Sequence, residues 1–224
     1  TSYDVDIYDI DLFDSPIELI SQLHSDRRRV VCYFSAGSFE DWREDAPAFQ
    51  PDDIGNQLDG WEGERWLDVR SPAVQAIMLT RLNLARDKGC DGVEPDNVDG
   101  YDNDTGFPLT AEDQLTFNRF LADQAHARGL AIALKNDGAQ LPDLLSHYDF
   151  ALNEQCHEYE ECQDLAPLVA AGKAAFNVEY RDSLDAATQL AESICPRANA
   201  AGLRTLILTL DLDDAFRISC FDDF

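Results

Sequence analysis

The stretch SPAVQAIMLTRLNLARDKGCDGVEPDN, residues 71–97, holds one complete unit of the fold. Ser71-Pro72 reads as a helix start, a capping hydroxyl followed by proline at the first helical position. Val74, Ile77, Met78, Leu82 and Ala85 then recur at helical spacing, and Gly89 supplies a left-handed stop. DGVEPDN (91–97) reads as a strand with polar residues at its end. Units of helix, tight turn and strand, placed in series, build a parallel sheet with crossover helices.

The same pattern extends in both directions. Strand-like runs are YDVDIYDIDLF (3–13), VVCYFSA (30–36), WLDV (66–69), LAIALKN (130–136), FALNEQ (150–155), AAFNVEY (174–180) and TLILTLDL (205–212). Ser15-Pro16-Ile17-Glu18 predicts an N-cap, a proline at N1 and a capping-box glutamate, with a helix to about His24. Thr110 with Asp113 caps another helix, whose apolar face is Phe117, Phe120, Leu121 and Ala125 and whose stop is Gly129. Pro196 is expected to kink or split the last helix. Residues 37–65, rich in Asp, Gly and Pro, read as a long functional loop. Counting WLDV gives eight strands, hence an α/β fold: a TIM-type (β/α)8 barrel in one domain, residues 1–224. Little chain follows the eighth strand, so the final helix is expected to be short or missing.

The composition restricts partners. There are 44 acids against 17 Lys and Arg, a formal charge of −27. Such a surface repels nucleic acid and anionic membranes, and no apolar run reaches the ~20 residues of a membrane span. The acidity fits solubility in high salt, attraction of a cationic polymer, or both. No basic and apolar leader opens the sequence. Six cysteines, at 32, 90, 156, 162, 195 and 220, form no CxxC pair and stand beside only four histidines. That excludes an ordinary zinc site and reads as disulfides in an oxidising compartment. Cys156 and Cys162 staple one loop; Cys195 with Cys220 and Cys32 with Cys90 are the natural remainder, although spacing alone does not fix the pairing.

Polar residues close nearly every strand: Asp11, Ser35, Asp68, Asp96-Asn97, Lys135-Asn136, Asn153-Glu154, Glu179-Tyr180 and Asp211. Parallel strands of a barrel bring these ends to one face, which is where barrel enzymes carry their chemistry. Most of the groups are carboxylates, as glycoside hydrolysis requires. Glu94, one strand pitch before Asp96, is expected to pair with Lys135. Trp42, Trp61 and Trp66 suit either sugar stacking or packing at the rim. There is no GxSxG elbow, GxGxxG turn or P-loop. DGYDND (99–104) reads as a solvated acidic turn rather than a calcium loop.

Six blocks carry a resemblance: CYFSAGSFEDWREDA (32–46), GERWLDVRS (63–71), GCDGVEPDNVDGYDNDTGFPLT (89–110), LKND (134–137), NEQCHEYEEC (153–162) and VEY (178–180). Together they resemble glycoside hydrolase family 114, the endo-α-1,4-polygalactosaminidases. The resemblance implies a TIM-type barrel that hydrolyses α-1,4-linked galactosamine polymers; retention of configuration is a separate expectation, with inversion as its alternative. The resemblance places the catalytic pair at Asp96 and Glu154; analogy with barrel glycosidases that carry the nucleophile after strand four and the acid after strand six makes Asp96 the nucleophile and Glu154 the general acid/base. The expected sugar ligands are Asp11, Tyr33, Asp68, Asn97, Asp99, Lys135, Asn136, Glu179 and Tyr180. No cofactor or metal is expected. The expected partner is a cationic, galactosamine-rich polysaccharide, met by a secreted monomer. The alternatives are a non-catalytic carbohydrate-binding barrel, a glycosidase for another α-linked polysaccharide, and a calcium-dependent structural protein.

Overall fold

The computed structural model describes residues 3–223. They fall into two compact units: Asp4–Lys135 with Ser146–Tyr148, and Asn136–Leu145 with Tyr3 and 149–223.

The first unit is built on four parallel strands in the order β1 (Ile7–Asp11), β2 (Arg29–Ser35), β6 (Gly92–Asp96) and β7 (Ala131–Lys135). Helices α1 (Ile17–Ser25), α2 (Pro72–Lys88) and α3 (Ala111–His126) make the crossovers. The local signals act largely as read. The Ser71 side chain accepts the Ala73 N–H, Gly89 ends α2 at φ 91°, and Thr110 and Asp113 form a reciprocal capping box. The first helix departs from expectation: it begins after Pro16, and no side-chain cap forms there. Val74, Met78 and Leu82 of α2 and Phe117 and Leu121 of α3 are buried with Phe34, Ile132 and Leu134 of the strands.

Two expectations need correction. Residues 37–65 are not an open loop, and WLDV is not a strand of the parallel sheet. β3 (Ser38–Glu40), β4 (Ile54–Gln57) and β5 (Glu64–Leu67) form a separate antiparallel sheet in the order β3-β5-β4. Trp66, on β5, is buried there, whereas Trp42 and Trp61 are about half exposed.

In the second unit, β8 (Phe150–Glu154), β9 (Ala174–Tyr180) and β10 (Arg204–Leu208) run parallel. Short helices α4 (Leu141–Leu144) and α5 (Ala166–Ala170) precede β8 and β9, and α6 (Leu184–Ala200) precedes β10. Pro196 lies inside α6, which runs on without splitting. The last predicted strand stops at Leu208, leaving Asp211 in an exposed turn. The chain then returns as β11 (Ile218–Ser219), antiparallel to β10, and a one-turn helix α7 (Cys220–Asp223). Ala187, Ala191, Ile194 and Cys195 of α6 pack on Ile207 and Ile218.

The disulfides are Cys32–Cys90, Cys156–Cys162 and Cys195–Cys220. Cys32–Cys90 closes 58 residues and Cys156–Cys162 closes 6. In the chain-entropy account the longer loop stabilises by about 4 kcal/mol and the shorter by about 2 kcal/mol. Replacing Cys32 and Cys90 by Ala is therefore expected to lower unfolding free energy roughly twice as much as replacing Cys156 and Cys162. Denaturant titration of both double variants checks this; equal losses refute it.

Candidate active site

Asp96 is the last residue of β6 and pairs in register with Ser35 of β2. Three donors converge on its side chain. The Tyr33 hydroxyl donates to Oδ2 at 3.1 Å, the Asn97 N–H donates to Oδ1 at 2.8 Å, and Lys135 Nζ stands 3.5 Å from Oδ1. Period-2 alternation explains the grouping, because Glu94 and Asp96 project to one face of β6. Lys135 also pairs with Glu94 at 3.0 Å, as the sequence predicts, and lies over the Tyr33 ring at 5.7 Å. Burial, and then the charge of Asp96, raises the Tyr33 phenol far above its usual range, so it remains a donor.

The backbone around Asp96 is clamped as firmly as the side chain. The N–H groups of Ala36 and Gly37 donate to the Asp96 carbonyl at 2.8 and 3.1 Å. Asn97 adopts a left-handed conformation, φ 58°, that asparagine tolerates better than most residues. The chain leaves the strand abruptly there and presents the carboxylate at the strand end.

Asp9 belongs to this cluster and is missed by sequence reasoning. Water still reaches it, yet the depth of surrounding protein, followed by the charge of Glu94, raises its carboxyl well above the usual range. A usable signal exists: Asp9 sits two residues before the end of β1, as Glu94 sits two before the end of β6.

Asp99 lies just beyond Asp96. Burial first and the Asp96 charge second push its carboxyl up to about 6. A carboxyl raised by folding binds its proton more tightly folded than unfolded. Its contribution is thus fully present below about pH 4 and lost as pH rises through about 6. Asp99→Asn does not ionise and is expected to gain on the wild type across that window, by roughly 1–3 kcal/mol at pH 7. Tm against pH for both proteins checks this; parallel curves from pH 4 to 7 refute it.

Asp11 and Asp68 are engaged elsewhere. Asp11 Oδ2 accepts from Arg43 at 2.6 Å, and its Oδ1 accepts the N–H groups of Phe13 and Asp14. Arg43 and the neighbouring Arg81 are buried with Glu40 in an ion-pair network that also holds Asp45. Asp68 follows β5 rather than a parallel strand and takes two hydrogen bonds from the Arg70 guanidinium, both 2.8 Å. That contact holds its carboxyl below the usual range.

In the second unit polar side chains gather around Glu154, at the end of β8. Tyr180 donates to Glu154 Oε1 at 2.5 Å, and Asn136 Nδ2 donates to Oε2 at 3.3 Å. The Asn136 carboxamide oxygen accepts the Glu154 N–H at 2.9 Å, so one side chain grips both ends of the residue. Glu179 does not join them. It is fully buried, accepts from Asn177 Nδ2 and the His157 N–H, and thereby supports the disulfide loop 156–162. Alternation along β9 turns Glu179 and Tyr180 to opposite faces.

Strand-end carboxylates, each held by a tyrosine hydroxyl and an asparagine, define an α/β enzyme of the kind whose chemistry sits at the C-terminal ends of parallel strands. The chain belongs to glycoside-hydrolase family GH114, whose family model matches residues 1–223. It is similar to Aspergillus fumigatus Ega3, known from a crystal structure in complex with galactosamine. Identity to that protein is 45%, the TM-score is 0.93, and the match covers 98% of this chain and 90% of that one. The glycoside hydrolase domain of PelA from Pseudomonas aeruginosa shares the fold at TM-score 0.75 and 17% identity, covering 96% and 91% of the two chains. An uncharacterized protein of Deinococcus radiodurans is 27% identical over 210 residues; the match covers 83% of this chain and 66% of that protein's length.

Proposed function

We propose that this chain is a TIM-type barrel hydrolase that cuts α-1,4-linked galactosamine polymers internally, with retention. The observation that carries the reading is the grip on Asp96, a strand-end carboxylate facing one ammonium and two hydrogen-bond donors. These contacts fix the direction of its lone pairs, as a nucleophile needs. Glu154, gripped by Tyr180 and Asn136, is the acid/base.

In the first step an Asp96 oxygen bonds to the anomeric carbon while the glycosidic C–O bond breaks. Glu154 gives its proton to the departing oxygen. In the second step Glu154 takes a proton from water, the water oxygen bonds to the anomeric carbon, and the Asp96 ester bond breaks. Tyr33, Asn97, Asp99, Lys135, Asn136 and Tyr180 are the groups around the two carboxyls that meet the sugar or orient them. The GalN-binding relative and the charge of −27 both favour a cationic substrate. Three disulfides favour a secreted enzyme, here read as a monomer without cofactor.

The test is reducing-end release and polymer size from deacetylated α-1,4-galactosamine, its N-acetylated form and a neutral α-linked polysaccharide. The deacetylated polymer is expected to shorten rapidly while few reducing ends appear, the sign of internal cuts. Cleavage of the neutral polymer alone moves the activity to another substrate. Binding of all three without cleavage makes the chain a carbohydrate-binding barrel.

A further inference from the structure

A buried chain of polar groups runs from β5 to the turn after Asp96. Glu64 is 6% exposed, and its Oε2 accepts the Ser38 hydroxyl at 2.7 Å. The hydroxyls of Ser38 and Ser35, both fully buried, are 2.6 Å apart. Ser35 Oγ accepts the Ser38 N–H at 3.0 Å and the Asn97 carboxamide nitrogen at 2.9 Å. The same nitrogen lies 3.3 Å from Ser38 Oγ.

The protons in this chain order themselves in one direction. A carboxylate at Glu64 accepts only, so Ser38 donates to it. Ser38 Oγ is then the acceptor for the Ser35 hydroxyl, and Ser35 Oγ is left to accept N–H groups. The Asn97 carboxamide is thereby fixed with its nitrogen inward. Asn97 is also the residue in the left-handed conformation whose N–H holds Asp96 Oδ1.

We infer that Glu64 is a positioning residue for Asp96. Through Ser38 and Ser35 it locks the Asn97 side chain, and so holds the turn that aims the carboxylate. Glu64 reaches no reacting atom in this account. The inference rests on the reading of Asp96 as nucleophile. A merely structural Glu64 would affect stability and leave the chemical step alone.

The test uses the whole chain with Ser38→Ala, Glu64→Leu, which leaves the Ser38 hydroxyl no acceptor at 64, and the double variant, assayed on deacetylated galactosamine polymer. Each single variant is expected to lower kcat about ten- to a hundredfold with KM within about twofold of wild type, because small displacements of a reacting group cost that much. The double variant is expected to lose no more than the worse single variant, since both cut the same chain. Crystal structures of the folded variants are expected to show the Asn97 carboxamide turned and its N–H moved from Asp96 Oδ1. Wild-type kcat in a folded variant, losses that multiply, or an unmoved Asn97 overturns the inference. If Glu64→Leu does not fold, Ser38→Ala with Ser35→Ala makes the same comparison. If wild type cuts no polymer, the functional reading fails, and the position of Asn97 in the variant crystals still decides the relay.

Discussion

Asp96→Asn is expected to lower kcat by roughly three to six orders of magnitude, the range for removing a covalent nucleophile. The fold is expected to survive. The new side chain has the same shape, its oxygen accepts from Tyr33 or Asn97, and Lys135 retains Glu94 at 3.0 Å. Glu154→Gln is expected to be similarly inactive on polymer. The two variants part on an oligomer carrying a good aryl leaving group, which departs without a proton. There Glu154→Gln is expected to give a burst of aryl alcohol followed by slow turnover, and Asp96→Asn no burst. The opposite pattern exchanges the roles, and wild-type rates in either folded variant remove that residue from the catalytic pair.

Gly37→Ala is expected to have the largest effect on stability of a single methyl group in this chain. A Cβ there would stand 1.7 Å from the Asn97 carbonyl oxygen and 2.8 Å from its carbon, both backbone atoms. Neither can move without displacing the turn after Asp96 or breaking the N–H contacts of Ala36 and Gly37 to the Asp96 carbonyl. Overpacking of this kind costs about 3 kcal/mol or more, which is roughly 6–12 °C in Tm for a chain of this size. Activity is expected to fall in the folded fraction as well, because the displaced turn follows Asp96, the proposed nucleophile. Calorimetry with a reducing-end assay at low temperature checks both. An unchanged Tm with full activity would mean the β2–β3 turn relaxes freely.

Much of this was legible in the sequence. Apolar spacing in 74–85, the hydroxyl at Ser71 and the glycine at Gly89 act within one helix and its ends, so a reader of the chain meets the same physics as the chain itself. Asp96 and Glu154 were legible as strand-end carboxylates followed by turn residues, and the motif blocks singled them out. WLDV misled because a short β-forming run looks the same in either sheet, and its partners β3 and β4 are chosen by tertiary contact. Asp11 ends a parallel strand as read, but its partner Arg43, 32 residues on, was not legible in the sequence.

The sequence by itself determined the main helices, most of the parallel strands, the family resemblance and two candidate carboxyls, because local periodicity, caps and motif blocks are written along the chain. Only the tertiary structure decided which partner each acid meets. Asp9, Glu64 and Glu94 came to Asp96 or its turn, while Asp11, Asp68 and Glu179 went to Arg43, Arg70 and the 156–162 loop. The physical reason is that in a chain with 44 acids a carboxylate's role is set by the donor it meets across the sheet, and strand register, not sequence spacing, chooses that donor.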